Sequence, residues 1–473
     1  MIRITILTLL IAYLSAYAWK DWFRTACWLV LLMAVFQHPD MPKAVGGVPG
    51  LNHWNFLFIN TVLAWLSDRK KKKLKWEMPS GIKFLLWCYS LLIILSVIRY
   101  FSDSSGVVEL YESMGRQPPS KLSEINEFLF NCFKWVIPGM IIFDGCRTRK
   151  QFNFAIIVLA LMYILLALQV VKAMKLGSLN IGGDALQKKA IKIISASVGF
   201  HRVNMSMMLS GAFWAVFCLK EVATTKQYWL YILPGCFAIF LGMAMTGGRT
   251  GYGTWAVLGM LFCLFKWRKY ILLLPILVTA ILAFTPSAID RLTQGFSPED
   301  EEIENTETNF AGENVDLNSV TSGRVFVWPI VWDNIKEAPF WGYGRISMQN
   351  IGLTLSIKKE FGEGEKFPHP HNAYLEWLLD NGFIGAMPVF IFYFLMVKYA
   401  WSLFRDNSNK IYVATGGVAF SLLAAFLIAS SGSQTFYPRE GAVGMWVGIG
   451  LLIRVYIERN KKNNGQESSL ITD

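Results

Sequence analysis

Lys366-Phe-Pro-His-Pro-His-Asn-Ala-Tyr-Leu-Glu-Trp-Leu-Leu-Asp-Asn-Gly-Phe-Ile-Gly385 passes from a polar, proline-broken approach into an apolar run that reaches about residue 403. Pro368 and Pro370 disfavour helix in the residues before them, so the approach is extended. Asn372 is placed to cap a helix that begins near Ala373. Leu375, Leu378 and Leu379 give that helix one apolar face, and Gly382 offers it a stop. The residues that follow are long and apolar enough to cross a bilayer. The stretch reads as a loop, a surface helix and a membrane span in succession. An imidazole at the mouth of a span suits proton chemistry; the same pattern also suits ordinary helix-start chemistry in a polar loop.

Working outward, the apolar signature recurs along all 473 residues, which are 54% hydrophobic and only 16% charged. Soluble domains are usually about 25% charged. Spans are predicted near 2–18, 22–37, 54–68, 82–100, 127–144, 152–171, 205–220, 229–246, 251–266, 270–286, 383–403, 411–430 and 443–457. The fold class is all-α: a polytopic membrane helical bundle of 12 or 13 transmembrane helices with one large periplasmic loop. It divides into N-terminal spans (1–286), a partly helical, partly mobile periplasmic loop (287–382), and C-terminal spans with a short cytoplasmic tail (383–473). The mobile part is read from an acidic run, eight acids from Glu299 to Asp316 with few apolar residues among them.

The net charge of +12 is concentrated in short loops, which fits membrane topology better than nucleic-acid binding, and no nucleic-acid partner is expected. Basic clusters at 69–75, 147–150, 266–269, 405–410 and 459–462 fall at alternate loops, the cytoplasmic side of a multi-pass protein. Residues 38–53, 101–126, 173–204 and 287–382 then face outward, with all five histidines. In 173–204, Leu186, Ala190, Ile194 and Val198 recur every fourth residue beside several lysines. This is an amphipathic helix with its lysines towards lipid phosphates, or a solvated basic face. The seven cysteines lie in or beside apolar segments with no Cys-x-x-Cys pair, so neither a disulfide framework nor a thiolate metal site is indicated. No cleavable signal peptide stands out.

Three arginines are candidates for an anion. In Thr246-Gly-Gly-Arg-Thr-Gly251 the glycines let backbone approach a ligand, and the planar fork of Arg249 suits a phosphate; a snorkelling arginine is the other reading. Arg324, after Ser322-Gly323, either does the same or pairs with the acidic loop. Arg202 follows His201 just before a span. Trp328 and Trp341 could stack on sugars or pack the loop down, and Arg345 closes the aromatic turn Ala338-Pro-Phe-Trp-Gly-Tyr-Gly-Arg345. His369 and His371, two apart and without a His-Glu-x-x-His array, make a poor metal site.

The order of these elements resembles the O-antigen ligase and polymerase superfamily of bacterial envelopes. The resemblance rests on Thr246-Gly-Gly-Arg-Thr-Gly251, Ser322-Gly-Arg-x-x-x-Trp328, Pro339-Phe-Trp-Gly-Tyr-Gly344, and above all His371-Asn-Ala-Tyr-Leu-Glu with Asn381-Gly-Phe-Ile-Gly385. It covers roughly 200–400. It implies a C-type glycosyltransferase of the bacterial inner membrane, without metal or cofactor. The glycan would pass from an undecaprenyl-pyrophosphate carrier to a hydroxyl of lipid A core, another carrier-linked glycan, or protein, at the periplasmic face. Arg249, Arg324 and Arg202 would hold the pyrophosphate and His371 would act on the acceptor hydroxyl. Trp328, Trp341 and Arg345 would contact glycan or acceptor. A polymerase joining carrier-linked repeats is the nearest alternative, and a lipid-linked oligosaccharide flippase a more distant one.

Overall fold

The computed structural model describes residues 2–42, 44–45, 48–50, 52–273, 307–310, 313–316, 324–361, 367–432, 435–466 and 470. It is an all-α bundle. Twelve of the thirteen predicted spans coincide with helices among the described residues. Eight helices there are long and apolar enough to cross a membrane, from Ser80–Ser102 to Glu440–Asn463, and Ile4–Ala18 and Trp22–Phe36 are shorter apolar helices. His53–Lys72 and Arg249–Phe265 occupy two further predicted spans. The predicted span 270–286 and most of the acidic run lie outside the described residues. Strand structure among the described residues is limited to two short antiparallel ladders, Ala44–Val45 with Val48–Pro49 and Glu307–Phe310 with Glu313–Asp316.

The two C-terminal helices form the centre. In Lys410–Ser430 and Glu440–Asn463, 78% of the apolar window is buried, against 39% in Ser80–Ser102 and Ala373–Arg405, which present their remaining apolar surface outward. Lipid offers no hydrophobic drive for helix association, so close approach must come from small residues. Gly139 and Gly450 meet on this pattern, with no room for a Cβ on either.

One end of the bundle collects the basic loops. Asp144 accepts from Trp65 Nε1 at 2.8 Å, from Arg147 at 3.1 Å and from Arg69. Arg454, fully buried, donates Nε to the Phe143 carbonyl at 3.0 Å and pairs with Glu77 at 2.5 Å and Glu458 at 3.5 Å. Arg459 pairs with Asp406 at 2.7 Å, and Lys266 donates to Asn407 at 2.7 Å. The alternation read from the sequence thus becomes a single charged end.

The other end carries the connections that were expected to face outward. The predicted amphipathic helix is present as Gly183–Ser197, with Leu186, Ala190 and Ile194 buried and Lys188 and Lys192 exposed. Leu186 packs against the turn at Gly247. On the C-terminal side of the acidic run come the helices Arg324–Glu337, Ser347–Asn350 and Leu353–Phe361.

Candidate active site

The histidine stretch folds as its residue types require. Asn372 caps the Ala373–Arg405 helix, its side chain accepting from the Tyr374 amide at 3.0 Å and the Leu375 amide at 3.3 Å. The extended approach is pinned from outside by two donors: Trp328 Nε1 to the Pro370 carbonyl and Gln349 Nε2 to the Pro368 carbonyl, both at 2.9 Å. Between them His371 takes φ +52°, the left-handed region. Outside glycine such a conformation costs on the order of 1–3 kcal/mol and clusters at functional sites. The His369 and His371 rings lie 4.1 Å apart, and the His371 amide donates to His369 Nδ1 at 3.2 Å.

The helix does stop at Gly382, which has φ +63° and ψ −176°, and resumes beyond it. A break inside a membrane helix leaves amides and carbonyls without partners. The aromatic turn supplies them. The Tyr343 amide donates to the Leu379 carbonyl and the Gly344 amide to the Asp380 carbonyl, both at 2.9 Å; Phe383 and Ile384 amides donate back to the Pro339 and Phe340 carbonyls at 2.7 and 3.2 Å. Gly342 and Gly382 are where the two backbones touch, and a side chain at either would strike the other strand. Two motifs quoted separately from the sequence are one clamp.

Beside the clamp is a cavity of about 80 Å³ lined by Arg345, Ser347, His369, Glu376, Asp380 and Arg439, among others. Arg345 is 3% exposed; it pairs with Glu376 at 3.1 Å and Asp380 at 3.6 Å and stacks 3.6 Å over the Tyr437 ring. Expected among the glycan contacts, it reaches the cavity as the centre of a buried ionic group. Its Nε and Asp380 Oδ2 have no hydrogen-bond partner there. Ser347 donates its hydroxyl to Asp380 Oδ1 at 2.5 Å. Burial, opposed in part by Glu376, drives the His369 pKa down to about 4, so this ring is neutral at physiological pH.

The arginine candidates fall around the same end. Arg202 is buried at the start of the Arg202–Cys218 helix and donates Nη1 to the Gly247 carbonyl at 3.1 Å, which joins it to the Thr246–Gly251 turn. Arg249 opens the helix Arg249–Phe265 directly after that turn. Gly248 and Gly251 press on Ser206, and its hydroxyl bonds the Gly248 carbonyl at 3.2 Å. His201 links this group to the histidine stretch: burial first, then the charges of Arg202 and His371, lower its pKa. Arg324 stands one turn before Trp328; its Nε is buried without a hydrogen-bond partner, and burial lowers its pKa. Trp341 is 56% exposed, away from the cavity, with its carbonyl held by Arg99.

Arg439, Asp380 and Tyr437 were not singled out from the sequence. Arg439 lies in the short connection after the Lys410–Ser430 helix, where Phe436-Tyr-Pro-Arg-Glu440 puts charge beside aromatics at the end opposite the basic loops. That was the available signal. Among the described residues no group of three or more His, Cys, Asp or Glu is arranged to hold a metal ion.

Comparison with known proteins gives an independent line. Residues 234–390 match the O-antigen ligase family. The matched segment runs from just before the Thr246–Gly251 turn, through Arg324 and the clamp, into the helix after His371. A ComP-specific O-oligosaccharyltransferase of Acinetobacter baylyi is 28% identical over 95 residues. That stretch is 20% of this chain and 17% of the relative, so the two share a region and are not matched along their lengths.

Proposed function

We propose that the chain is a membrane glycosyltransferase of the O-antigen ligase type. It would move a glycan from an undecaprenyl-pyrophosphate carrier to an acceptor hydroxyl, at the periplasmic face of the inner membrane and without a metal. The observation that carries the reading is convergence. Arg202, the turn before Arg249, and the His371 stretch come from distant parts of the chain and meet at the end opposite the basic loops. The match of residues 234–390 to the O-antigen ligase family supports the same chemistry.

The reaction follows from the side chains. The acceptor O–H loses its proton to His371 and its oxygen bonds to the anomeric carbon. The bond from that carbon to the pyrophosphate oxygen breaks, and the released pyrophosphate carries the electron pair. Arg202, Arg249 and Arg324 neutralise that charge in the role a divalent cation often fills. The proton leaves His371 for the pyrophosphate or for water. Arg345 holds Glu376 and Asp380 in place beneath the histidine stretch, while Trp328 and Trp341 offer aromatic faces to the sugars. Phosphate-binding and base residues at one membrane face suit a donor that enters sideways from lipid; a flippase would sooner place its charges near the bilayer midplane.

The test uses the purified full chain in lipid nanodiscs with an undecaprenyl-pyrophosphate-linked oligosaccharide as donor. Three acceptors are offered: lipid A core, a second carrier-linked repeat, and a candidate protein. The last is prompted by the name of the Acinetobacter relative. Transfer to lipid A core is expected; transfer to the repeat alone would make the chain a polymerase. Carrier movement across the bilayer with no new glycosidic bond would overturn the reading. Sidedness has its own check. Asn305→Cys and Lys73→Cys should label oppositely with a membrane-impermeant thiol reagent in spheroplasts, and labelling of the second but not the first would invert the topology.

A further inference from the structure

We propose that His369 is a positioning residue: its neutral Nδ1, by accepting the His371 amide, sets the left-handed backbone that aims the His371 ring. The inference rests on the glycosyl-transfer reading of His371 and adds to it a reason for the His-Pro-His spacing. A ring acceptor two residues before an amide closes the same small loop that an asparagine side chain closes in an Asx turn. Here the loop contains Pro370, which has no amide of its own to compete, and the Pro370 carbonyl is taken by Trp328. The acceptor for the His371 amide is a side chain, His369 Nδ1 at 3.2 Å.

Geometry supplies the rest. The 4.1 Å ring separation leaves the two imidazoles in contact, so the backbone of His371 cannot relax towards its ordinary region without moving His369. Accepting at Nδ1 fixes the tautomer with the proton on Nε2, in a ring that lines the cavity with Arg345, Glu376, Asp380 and Arg439. Protonation at Nδ1 would replace an acceptor by a donor facing a donor. Burial, which keeps this ring neutral, protects the arrangement.

The test turns on which atom of a replacement can reach the amide. Asn Oδ1 stands where His Nδ1 stands, whereas Gln Oε1 stands nearer to Nε2. His369→Leu and His369→Gln should lower turnover by roughly 10–100-fold, the scale of an ångström-level misplacement, with the donor KM within about threefold. His369→Asn should recover most of that loss. Melting temperatures of the three variants are compared in parallel, since a merely structural role would make them fall together and would not separate Asn from Gln. Equal activity of the Asn and Gln variants, or a Leu variant as fast as the parent, overturns the proposal. A second readout is independent of turnover. In the full chain labelled with ¹⁵N at the histidine rings, the signal that disappears in His369→Asn should report an unprotonated Nδ1 at neutral pH; a protonated Nδ1 overturns it. If His371→Ala is as active as the parent, the base role of His371 fails instead, and the ring spectrum alone then decides the positioning claim.

Discussion

The two ends of the bundle handle charge in opposite ways. At the basic-loop end, Arg454 sits between Glu77 and Glu458 and Asp144 between Arg69 and Arg147, with Arg454 Nη2 buried there without a hydrogen-bond partner. At the other end Arg345, Glu376 and Asp380 stand against a cavity, with Arg345 Nε and Asp380 Oδ2 lacking hydrogen-bond partners, and Arg324, half-buried, has its Nε in the same state. Buried charge is expensive in both places. Networks of paired charges between helices return that cost as fixed geometry. Networks that border a cavity leave donors and acceptors to be satisfied by something that comes and goes, which is what a site for a charged substrate requires.

The sharpest way to break this contrast is to remove one group from each end and read activity and stability separately. His371→Ala should lower turnover by about 10²–10⁴-fold, the usual range for loss of a general base, with donor binding and melting temperature unchanged. Near-normal turnover in a folded variant would remove His371 from the chemistry. Arg454→Ala should do the reverse. Removing the buried guanidinium leaves the Phe143 carbonyl without its donor and Glu77 and Glu458 with Lys461 alone in common, at a cost of about 3 kcal/mol of stability, read as a fall in melting temperature, while turnover per folded molecule is kept. An unchanged melting temperature would mean that the Arg454 pairs do not hold this end together.

Acid should expose the other end. A histidine with a depressed folded-state pKa favours the native state above its unfolded pKa near 6.5. That advantage is lost as pH falls from 6.5 towards about 4, because the unfolded chain binds the proton first. The melting temperature should decline over that window by the equivalent of about 2–3 kcal/mol, and the decline should shrink in His369→Asn. A flat profile would contradict a buried, neutral His369. The smallest of these effects is Arg249→Lys or Arg324→Lys. Lysine keeps the charge but cannot grip a phosphate with two parallel donors, so transfer should fall roughly 10–100-fold, the worth of a hydrogen bond to a charged group. Near-normal transfer by both variants would refute the fork argument.

Much of this could be read from residues alone. Long apolar runs fix spans because lipid tolerates no unpaired backbone, so twelve helices fell where predicted. The cap at Asn372, the stop at Gly382 and the four-residue spacing from Leu186 also appear as read. Local chemistry decides each of them. What stayed hidden depends on partners far along the chain. Arg345 reads as a glycan or acceptor contact, with no sign in the sequence that Glu376 and Asp380 close on it, and Arg439 has no signal beyond a charge beside aromatics. That Pro339-Phe-Trp-Gly-Tyr-Gly344 and Asn381-Gly-Phe-Ile-Gly385 hydrogen-bond to each other could not be seen in either alone.

That clamp has a consequence for how this surface can change. Its four bonds run from main chain to main chain, so they constrain shape at Gly342 and Gly382 and ask nothing of the side chains between. Phe340 and Trp341 project away from it, 65% and 56% exposed. These positions behave as a display mounted on a rigid bracket. Drift or deliberate randomisation there can alter what the protein's outer rim touches while the bracket, and the histidine stretch it supports, keep their place.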